Sequence, residues 1–130
     1  MRMLGPIYSG AAVGGNGVAT ANADSNNVVA GRIVAVGVTY LDSPPAGTTD
    51  VVVATKGVNG PAQTILSIAN AATDGWFYPR VGTVSTSGAA MLYAGGGTAV
   101  GEPLAVVDVV NVKIEQANAG DGVNVWLLME

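Results

Sequence analysis

The side chains that could perform catalysis in this chain lack the partners that catalysis requires. Six serines are present, but the 130 residues include no histidine and no cysteine. Histidine is the commonest general base near neutral pH, and cysteine is both a nucleophile and a metal ligand. A serine activated by lysine would need Lys56 or Lys113, and neither lies three residues after a serine. We therefore expect no catalytic residues and no enzymatic activity.

The positions of the acidic residues favour a structural role, in which an aspartate in a turn hydrogen-bonds its own backbone. They favour it over glycoside hydrolysis and over metal binding. Asp108 lies inside a predicted strand, where we expect it to pair with a lysine or an arginine across a sheet or at a subunit contact. The polar cluster 22–27 matches no calcium loop, and the glycines 95–97 lack the lysine of a phosphate loop. The sequence thus predicts no metal ion and no cofactor. Four aspartates lie in predicted turns: Asp24, Asp42, Asp74 and Asp121.

The low charge of the chain restricts its partners. Charged residues make up 11% of the sequence, and the net charge is −4. Five scattered bases cannot neutralise a row of phosphates, so we expect no nucleic-acid binding. The uncharged stretches 3–23 and 81–101 are interrupted by glycines and polar residues, so neither predicts a membrane-spanning helix. A surface with so few charges indicates that copies of the chain or another protein cover much of it.

Apolar and polar residues alternate with a period of two, which is typical of strands. The pair Asn16–Gly17 predicts a tight hairpin turn, and the two prolines at 44–45 predict a loop over 42–47. Segment 61–72 could form a helical turn, but its Gly-Pro entry favours a strand. The predicted strands are 18–24, 28–41, 50–56, 61–72, 81–87, 89–93, 102–115 and 123–129.

This pattern predicts an all-β fold in a single domain over residues 1–130. The strand spacing is typical of a β-sandwich, a jelly roll or a small barrel of about eight short strands. Segment 102–115 is predicted as the longest strand. In strand 28–41 the alternation predicts one shared face for Val34, Val36, Val38 and Tyr40.

Two segments supply the candidate interface residues. Residues 1–9 form a possible N-terminal arm whose apolar side chains could dock on a neighbour or close the chain's own sheet. Residues 76–78 hold three of the seven aromatic side chains, which could stack on a glycan or fill a core or subunit interface. The interface candidates are Ile7, Tyr8, Trp76, Phe77, Tyr78 and Arg80.

Several segments together resemble those of a known class of virion proteins. They are 17–23 (GVATANA), 31–36 (GRIVAV), 48–53 (TTDVVV), 78–80 (YPR) and 122–130 (GVNVWLLME). In these features the chain resembles the small virion proteins of tailed bacteriophages, in particular head decoration or cement proteins.

The resemblance implies a β-sandwich or barrel protein without catalytic residues. Such a protein is made in the host cytoplasm, trimerises on the outer capsid surface and clamps neighbouring subunits of the major capsid protein. The alternative is a tail- or fibre-associated module that binds host glycans through exposed aromatic rings.

Overall fold

The computed structural model describes residues 1–41 and 44–130, and every helix or strand assigned in these ranges is a strand. The all-β prediction is therefore confirmed, although the described residues form eleven strands, several of them very short. No helix in this part of the chain could cross a membrane. The strands are β1 (Arg2–Tyr8), β2 (Ala19–Asp24), β3 (Val29–Tyr40), β4 (Asp50–Thr55), β5 (Thr64–Ile68), β6 (Gly75–Phe77), β7 (Val81–Gly82), β8 (Gly101–Glu102), β9 (Leu104–Asp108), β10 (Val110–Ala117) and β11 (Val123–Met129).

Two antiparallel sheets form a sandwich. In sheet A the order is β1–β11–β3, and both β6 and β9 pair with the other edge of β3. In sheet B the order is β2–β10–β4–β5. Strands β7 and β8 pair only with each other in the named sheets. The predicted strand within 61–72 is confirmed as β5, whereas residues 42–43 of the predicted loop lie outside the described residues.

The core between the sheets is built from β-branched and aliphatic side chains at alternate positions. In β11, and in β10 as far as Ile114, every second residue is buried, which gives each strand one face in the core. Burial of each such side chain contributes about 1.5–3 kcal/mol. The fully buried members of this core include Ile33, Val53, Val112, Ile114, Val125 and Leu127.

Strand β3 contains an irregularity that corrects one predicted face. Leu128 of β11 pairs with Ala35, but the next residue, Met129, pairs with Ile33. Val34 is therefore an extra residue in the ladder, as in a β-bulge. Val36 and Val38 lie in the core as predicted and Tyr40 packs against it, but Ile33 takes the place predicted for Val34.

The predicted long strand 102–115 is interrupted at Val109. The chain before this point, β9, belongs to sheet A, and the chain after it, β10, belongs to sheet B. Sequence periodicity continues across the break because both strands direct alternate residues into the same core, Leu104 and Val106 from one side and Val110 from the other. Segment 102–115 therefore crosses from sheet A to sheet B.

Asp108 holds this crossing through backbone amides, so the predicted pairing with a lysine or arginine is wrong. Its carboxylate accepts hydrogen bonds from the backbone N–H groups of Gly57 at 2.8 Å, Val109 at 2.8 Å and Val58 at 3.2 Å. Burial alone would raise the pKa of Asp108, but these amide hydrogen bonds outweigh it and hold the pKa below its usual value. The side chain is only 5% exposed.

We expect Asp108→Asn to destabilise the protein, because an amide can offer only one acceptor oxygen to several backbone donors. Since the folded pKa of Asp108 is depressed, its stabilisation is present above the unfolded value of 3.8 and is lost as the pH falls below it. Urea unfolding from pH 7 to pH 2 should give a shallower acid dependence for the variant. The exposed Glu102→Gln is the control, and equal stability of Asp108→Asn and the wild type would contradict this role.

The N-terminal segment closes the chain's own sheet, which is the alternative that the sequence left open. Strand β1 pairs with β11 from Arg2↔Met129 to Tyr8↔Asn124. Ile7, predicted as an interface residue, is 8% exposed and packs in the chain's own core. The reason is the register, which sets Ile7 opposite the core residue Val125.

We expect Ile7→Ala to lower the free energy of unfolding by about 2–4 kcal/mol, because it removes a buried side chain. Met3→Ala on the same strand is the matched control, since Met3 is 57% exposed, and it should cost less than about 1 kcal/mol. Deletion of residues 1–8 should prevent stable folding. A truncated chain that unfolds in urea at the wild-type midpoint would restore the free-arm interpretation.

Candidate functional site

The two outer faces of the sandwich differ in chemistry, beginning with the polar face of sheet B. Directly paired residues on neighbouring strands lie on the same face of a sheet. By this rule the outer face of sheet B carries charges from β10 and its neighbours, and it includes the ion pair between Lys113 and Glu115 at 2.9 Å. Such a face is well suited to water. Its charged side chains are Asp24, Asp50, Lys113 and Glu115.

The outer face of sheet A is apolar. Among the described residues, Arg32 is the one charged side chain that strand register places on it, and Arg32 pairs with Glu130 at its border. Large apolar side chains that normally avoid water are exposed here, including Val107 at 62%. An apolar patch of this kind on one side of a sandwich is typical of an interaction surface. The face includes Met3, Gly37, Trp76, Val107, Trp126 and Leu128.

Gly37 lies at the centre of this face between the only two tryptophans of the chain. It pairs with Trp126 of β11 on one side and with Trp76 of β6 on the other. A methyl group built on Gly37 would lie 3.0 Å from Cζ3 of Trp76, so the indole of Trp76 covers the glycine. The absence of a side chain in this central strand therefore leaves space for a ring and a groove.

The groove beside this glycine has a volume of about 390 Å³. Its walls are mainly indole and aliphatic surface. Besides the indole N–H groups, the polar side chains in its lining are those of Thr39 and Asp74. The lining residues are Met3, Gly37, Val38, Thr39, Asp74, Gly75, Trp76 and Trp126.

Asp74 fixes one end of the groove. Its Oδ1 accepts a hydrogen bond of 2.8 Å from the backbone N–H of Tyr40, which ties the loop before β6 to the end of β3. Burial and the nearby Asp74 charge raise the pKa of Tyr40 to about 12. Burial is the larger of the two causes, and the Asp74 charge adds to it.

A second exposed apolar region is the excursion formed by residues 79–103 between β6 and β9. Three of its segments are joined by backbone hydrogen bonds, each of 2.9 Å. The N–H group of Thr83 donates to the carbonyl of Val100, that of Val100 to the carbonyl of Met91, and that of Met91 to the carbonyl of Thr83. The excursion carries no charge between Val81 and Gly101. Its exposed apolar side chains are Val81, Val84, Met91, Leu92 and Tyr93.

The predicted interface residues divide between these surfaces and the core. Trp76 lies on the outer face of sheet A, and Tyr8 lies on the same face of β1. Phe77 instead packs against the core. Tyr78 is exposed where the excursion begins, and the Arg80 guanidinium there donates to the carbonyl of Val34 at 3.0 Å. Arg80 therefore anchors the excursion to the bulge of β3.

The turn prediction is confirmed for Asp121 and Asp74, which lie in loops, and is wrong for Asp24, which lies in β2 opposite Asn111. Asp121 accepts hydrogen bonds from the backbone N–H groups of Asn118 and Ala46, at 2.9 and 3.1 Å. Asp74 precedes β6 and has the backbone partner already described, and Asp24 ends β2. Asp42 lies outside the described residues.

Sequence reasoning missed Trp126, Met3 and Leu128 as members of the exposed face. A signal for Trp126 was present in the strand 123–129, which alternates as V-N-V-W-L-L-M. The buried phase is Val123, Val125 and onwards, so Trp126 falls in the opposite phase. A tryptophan out of phase with the core is a candidate surface residue, but its neighbours across the sheet could not be known from the strand alone.

Comparisons with known proteins do not assign a function. No protein-family model matches the chain, and the curated proteins give no significant match. Within residues 1–41 and 44–130, no group of three or more acidic residues could hold a metal ion. The apolar face and its groove are therefore the features on which a function must be argued.

We expect Gly37→Ala to displace Trp76 without unfolding the protein. The added methyl group forces the indole outward, and a ring that is 49% exposed can move. The free energy of unfolding should change by less than about 1 kcal/mol, while the tryptophan fluorescence should shift to longer wavelength. Gly75→Ala is the control because its methyl group would meet Phe77 at an ordinary 3.7 Å. An unchanged spectrum in Gly37→Ala would contradict the packing of Trp76 on Gly37.

Proposed function

We propose that this protein is a non-enzymatic structural protein that docks on a protein shell through the outer face of sheet A. The observation that carries this proposal is the difference between the two outer faces. Sheet B directs charged residues to water, whereas the outer face of sheet A carries the exposed Trp76, the half-buried Trp126 and several aliphatic side chains. Its charged side chains are Arg32, from the strand register, and Asp74, at the end of the groove. Apolar faces with aromatic residues at their centre are typical of protein interfaces.

The size of the face agrees with docking. Strands lie about 4.8 Å apart and rise about 3.3 Å per residue, so four strand positions of seven residues cover roughly 450 Å². At about 25 cal/mol per Å², burial of this area contributes on the order of 10 kcal/mol before the cost of association. A standard interface buries about 800 Å² on each partner, so the excursion is well placed to supply additional contact.

The shell that fits best is the capsid of a tailed bacteriophage. The sequence resemblance to head decoration proteins supports this choice, as do the low charge and the many exposed aliphatic residues. In this proposal the protein is made in the host cytoplasm and binds the major capsid protein on the outer surface of the virion. It acts as a trimer, in which the excursion contributes contacts between copies.

The test is co-sedimentation of the purified protein with empty shells assembled from the major capsid protein of a tailed phage that carries this chain. We expect the wild-type protein to sediment with the shells at low salt and in about 1 M NaCl, because screening weakens charge contacts and spares apolar burial. Leu128→Lys places a charge on the outer face of sheet A and should abolish co-sedimentation. Val52→Lys, at a comparable half-buried position on the outer face of sheet B, is the matched control.

Two outcomes would overturn the proposal. If Val52→Lys abolishes binding and Leu128→Lys does not, the docking face is on sheet B. If the wild-type protein dissociates at moderate salt, charge contacts hold the interface and the apolar face does not. Light scattering after size-exclusion chromatography gives the number of copies, and a stable monomer would contradict the trimer.

A glycan-binding module of a phage tail or fibre is the second candidate, because two tryptophans share one exposed face. Sugars stack on indole rings, but they also need several hydrogen-bonding groups for their hydroxyls. The groove offers Thr39, Asp74 and the indole N–H groups, which favours a protein partner over a sugar. Quenching of tryptophan fluorescence by simple sugars at low millimolar concentration would favour the glycan module.

A further inference from the structure

We propose that the groove between Trp76 and Trp126 binds the guanidinium group of an arginine side chain presented by the docking partner. The assignment of the arginine to a protein partner rests on the proposed function, whereas the recognition of a guanidinium group rests on the groove alone. Three features support this proposal: the shape of the groove, its one carboxylate, and the existing partners of the chain's own cationic residues.

The shape of the groove suits a flat group. The two tryptophans flank Gly37 on adjacent strands, so their Cα atoms lie about 10 Å apart across two strand spacings. The indole of Trp76 lies against the glycine, which leaves an open slot towards Trp126. A guanidinium group is planar, weakly hydrated and stacks on indole faces.

The charge at the end of the groove suits a cation. Oδ1 of Asp74 accepts the hydrogen bond from Tyr40, and Oδ2 has no hydrogen-bond partner among the described residues. A carboxylate can accept two parallel N–H bonds from one guanidinium group, since each oxygen has two lone pairs. The combination of indole faces with one available carboxylate matches an arginine better than an apolar side chain, which would leave the carboxylate unpaired.

A different protein is the favoured source of the arginine, because every arginine in the described part of this chain already has a partner. Arg2 donates to the carbonyl of Ala30, and Arg32 pairs with Glu130. Arg80 donates to Val34 at the start of the excursion. The two lysines are paired as well, each with an acidic residue within 3.1 Å. Insertion of a basic residue from a second copy would break the contact that this residue already makes within its own copy.

Lysine fits the groove less well than arginine. Its ammonium group is compact and strongly hydrated, and it has no planar face to place against an indole. The groove walls offer much stacking surface and few acceptors besides Asp74 and Thr39. The groove therefore favours arginine, whose binding is stabilised mainly by stacking and by one carboxylate.

The test uses the full chain labelled with ¹⁵N and follows the two indole N–H resonances. The probes are N-acetyl-arginine amide and N-acetyl-citrulline amide, which have planar head groups of nearly the same shape and differ in charge. We expect the arginine probe to shift both resonances saturably at millimolar concentration, and the citrulline probe to bind about threefold to tenfold more weakly.

Three variants separate the contributions to this binding. Asp74→Asn should remove the preference for arginine over citrulline, while Glu115→Gln on the outer face of sheet B should retain it. Gly37→Val should abolish the shifts caused by both probes, because its side chain occupies the groove. Unfolding curves of each variant verify that the fold is intact.

Several outcomes would overturn the inference. Equal affinity for the arginine and citrulline probes would show that charge plays no part. Absence of a saturable shift up to about 0.1 M arginine probe would show that the groove does not bind it. Tighter binding of methyl glucoside than of the arginine probe would assign the groove to a sugar.

The shell experiment separates a failure of this inference from a failure of the proposed function. If Leu128→Lys abolishes co-sedimentation but the arginine probe does not bind, the docking face is supported and the guanidinium site is wrong. If the arginine probe binds as expected but Leu128→Lys still co-sediments, the groove stands and the docking face is wrong. If both hold, Asp74→Asn should weaken shell binding about threefold to tenfold.

Discussion

The crossing of the chain from one sheet to the other at Asp108 is the constraint on which the sandwich depends. Strand β9 ends in sheet A and β10 begins in sheet B with one residue between them. Such a corner turns backbone N–H groups away from the ladders, and a buried N–H group without a partner is costly. The Asp108 carboxylate accepts from both the corner and the turn after β4, so one side chain joins the two sheets.

The joined sheets leave two outer faces, which carry side chains of different polarity. Charged residues in β4 and β10 alternate with core residues, so the outer face of sheet B is hydrated. In sheet A the alternate positions hold tryptophan, methionine and leucine, and the central position holds Gly37. A glycine destabilises a central strand, because it loses more backbone entropy on folding than other residues and has no side chain to pack. At Gly37 the compensation is the space in which Trp76 packs.

A face of this kind suits attachment to a regular shell. In the proposed function each contact is mainly apolar, so we expect it to be insensitive to salt and to need no exact arrangement of many charges. Many copies bound to a repeating lattice act together even when the single contact is weak. Within the proposed function, the one carboxylate in the groove gives the contact a preferred partner, because charge pairs contribute more to specificity than to affinity.

Much of the fold could be predicted from local sequence pattern. Period-two alternation in segments such as 123–129 predicts the strands and their buried residues, because a strand directs neighbouring side chains to opposite faces. The Asn16–Gly17 turn is also local, since Val18 N–H donates to the Gly15 carbonyl at 3.1 Å and Gly17 has a positive φ of 82°. The predicted tight hairpin is wrong, however, because Asn16 lacks a positive φ and the bridge Val13↔Thr20 encloses a longer loop. The lack of histidine and cysteine in the composition removes the side chains on which most nucleophilic and metal chemistry relies.

The tertiary structure decided what local pattern could not express. Periodicity runs without a break through 104–114 because two sheets share one core, so the alternation itself does not reveal the crossing at Val109. Whether residues 2–8 dock on a neighbour or close a sheet depends on the free edge of β11, which is distant in sequence. The candidate site depends on the same kind of pairing. Trp76, Gly37 and Trp126 come from three separate segments, and only the register of β3 with both its neighbours brings them together.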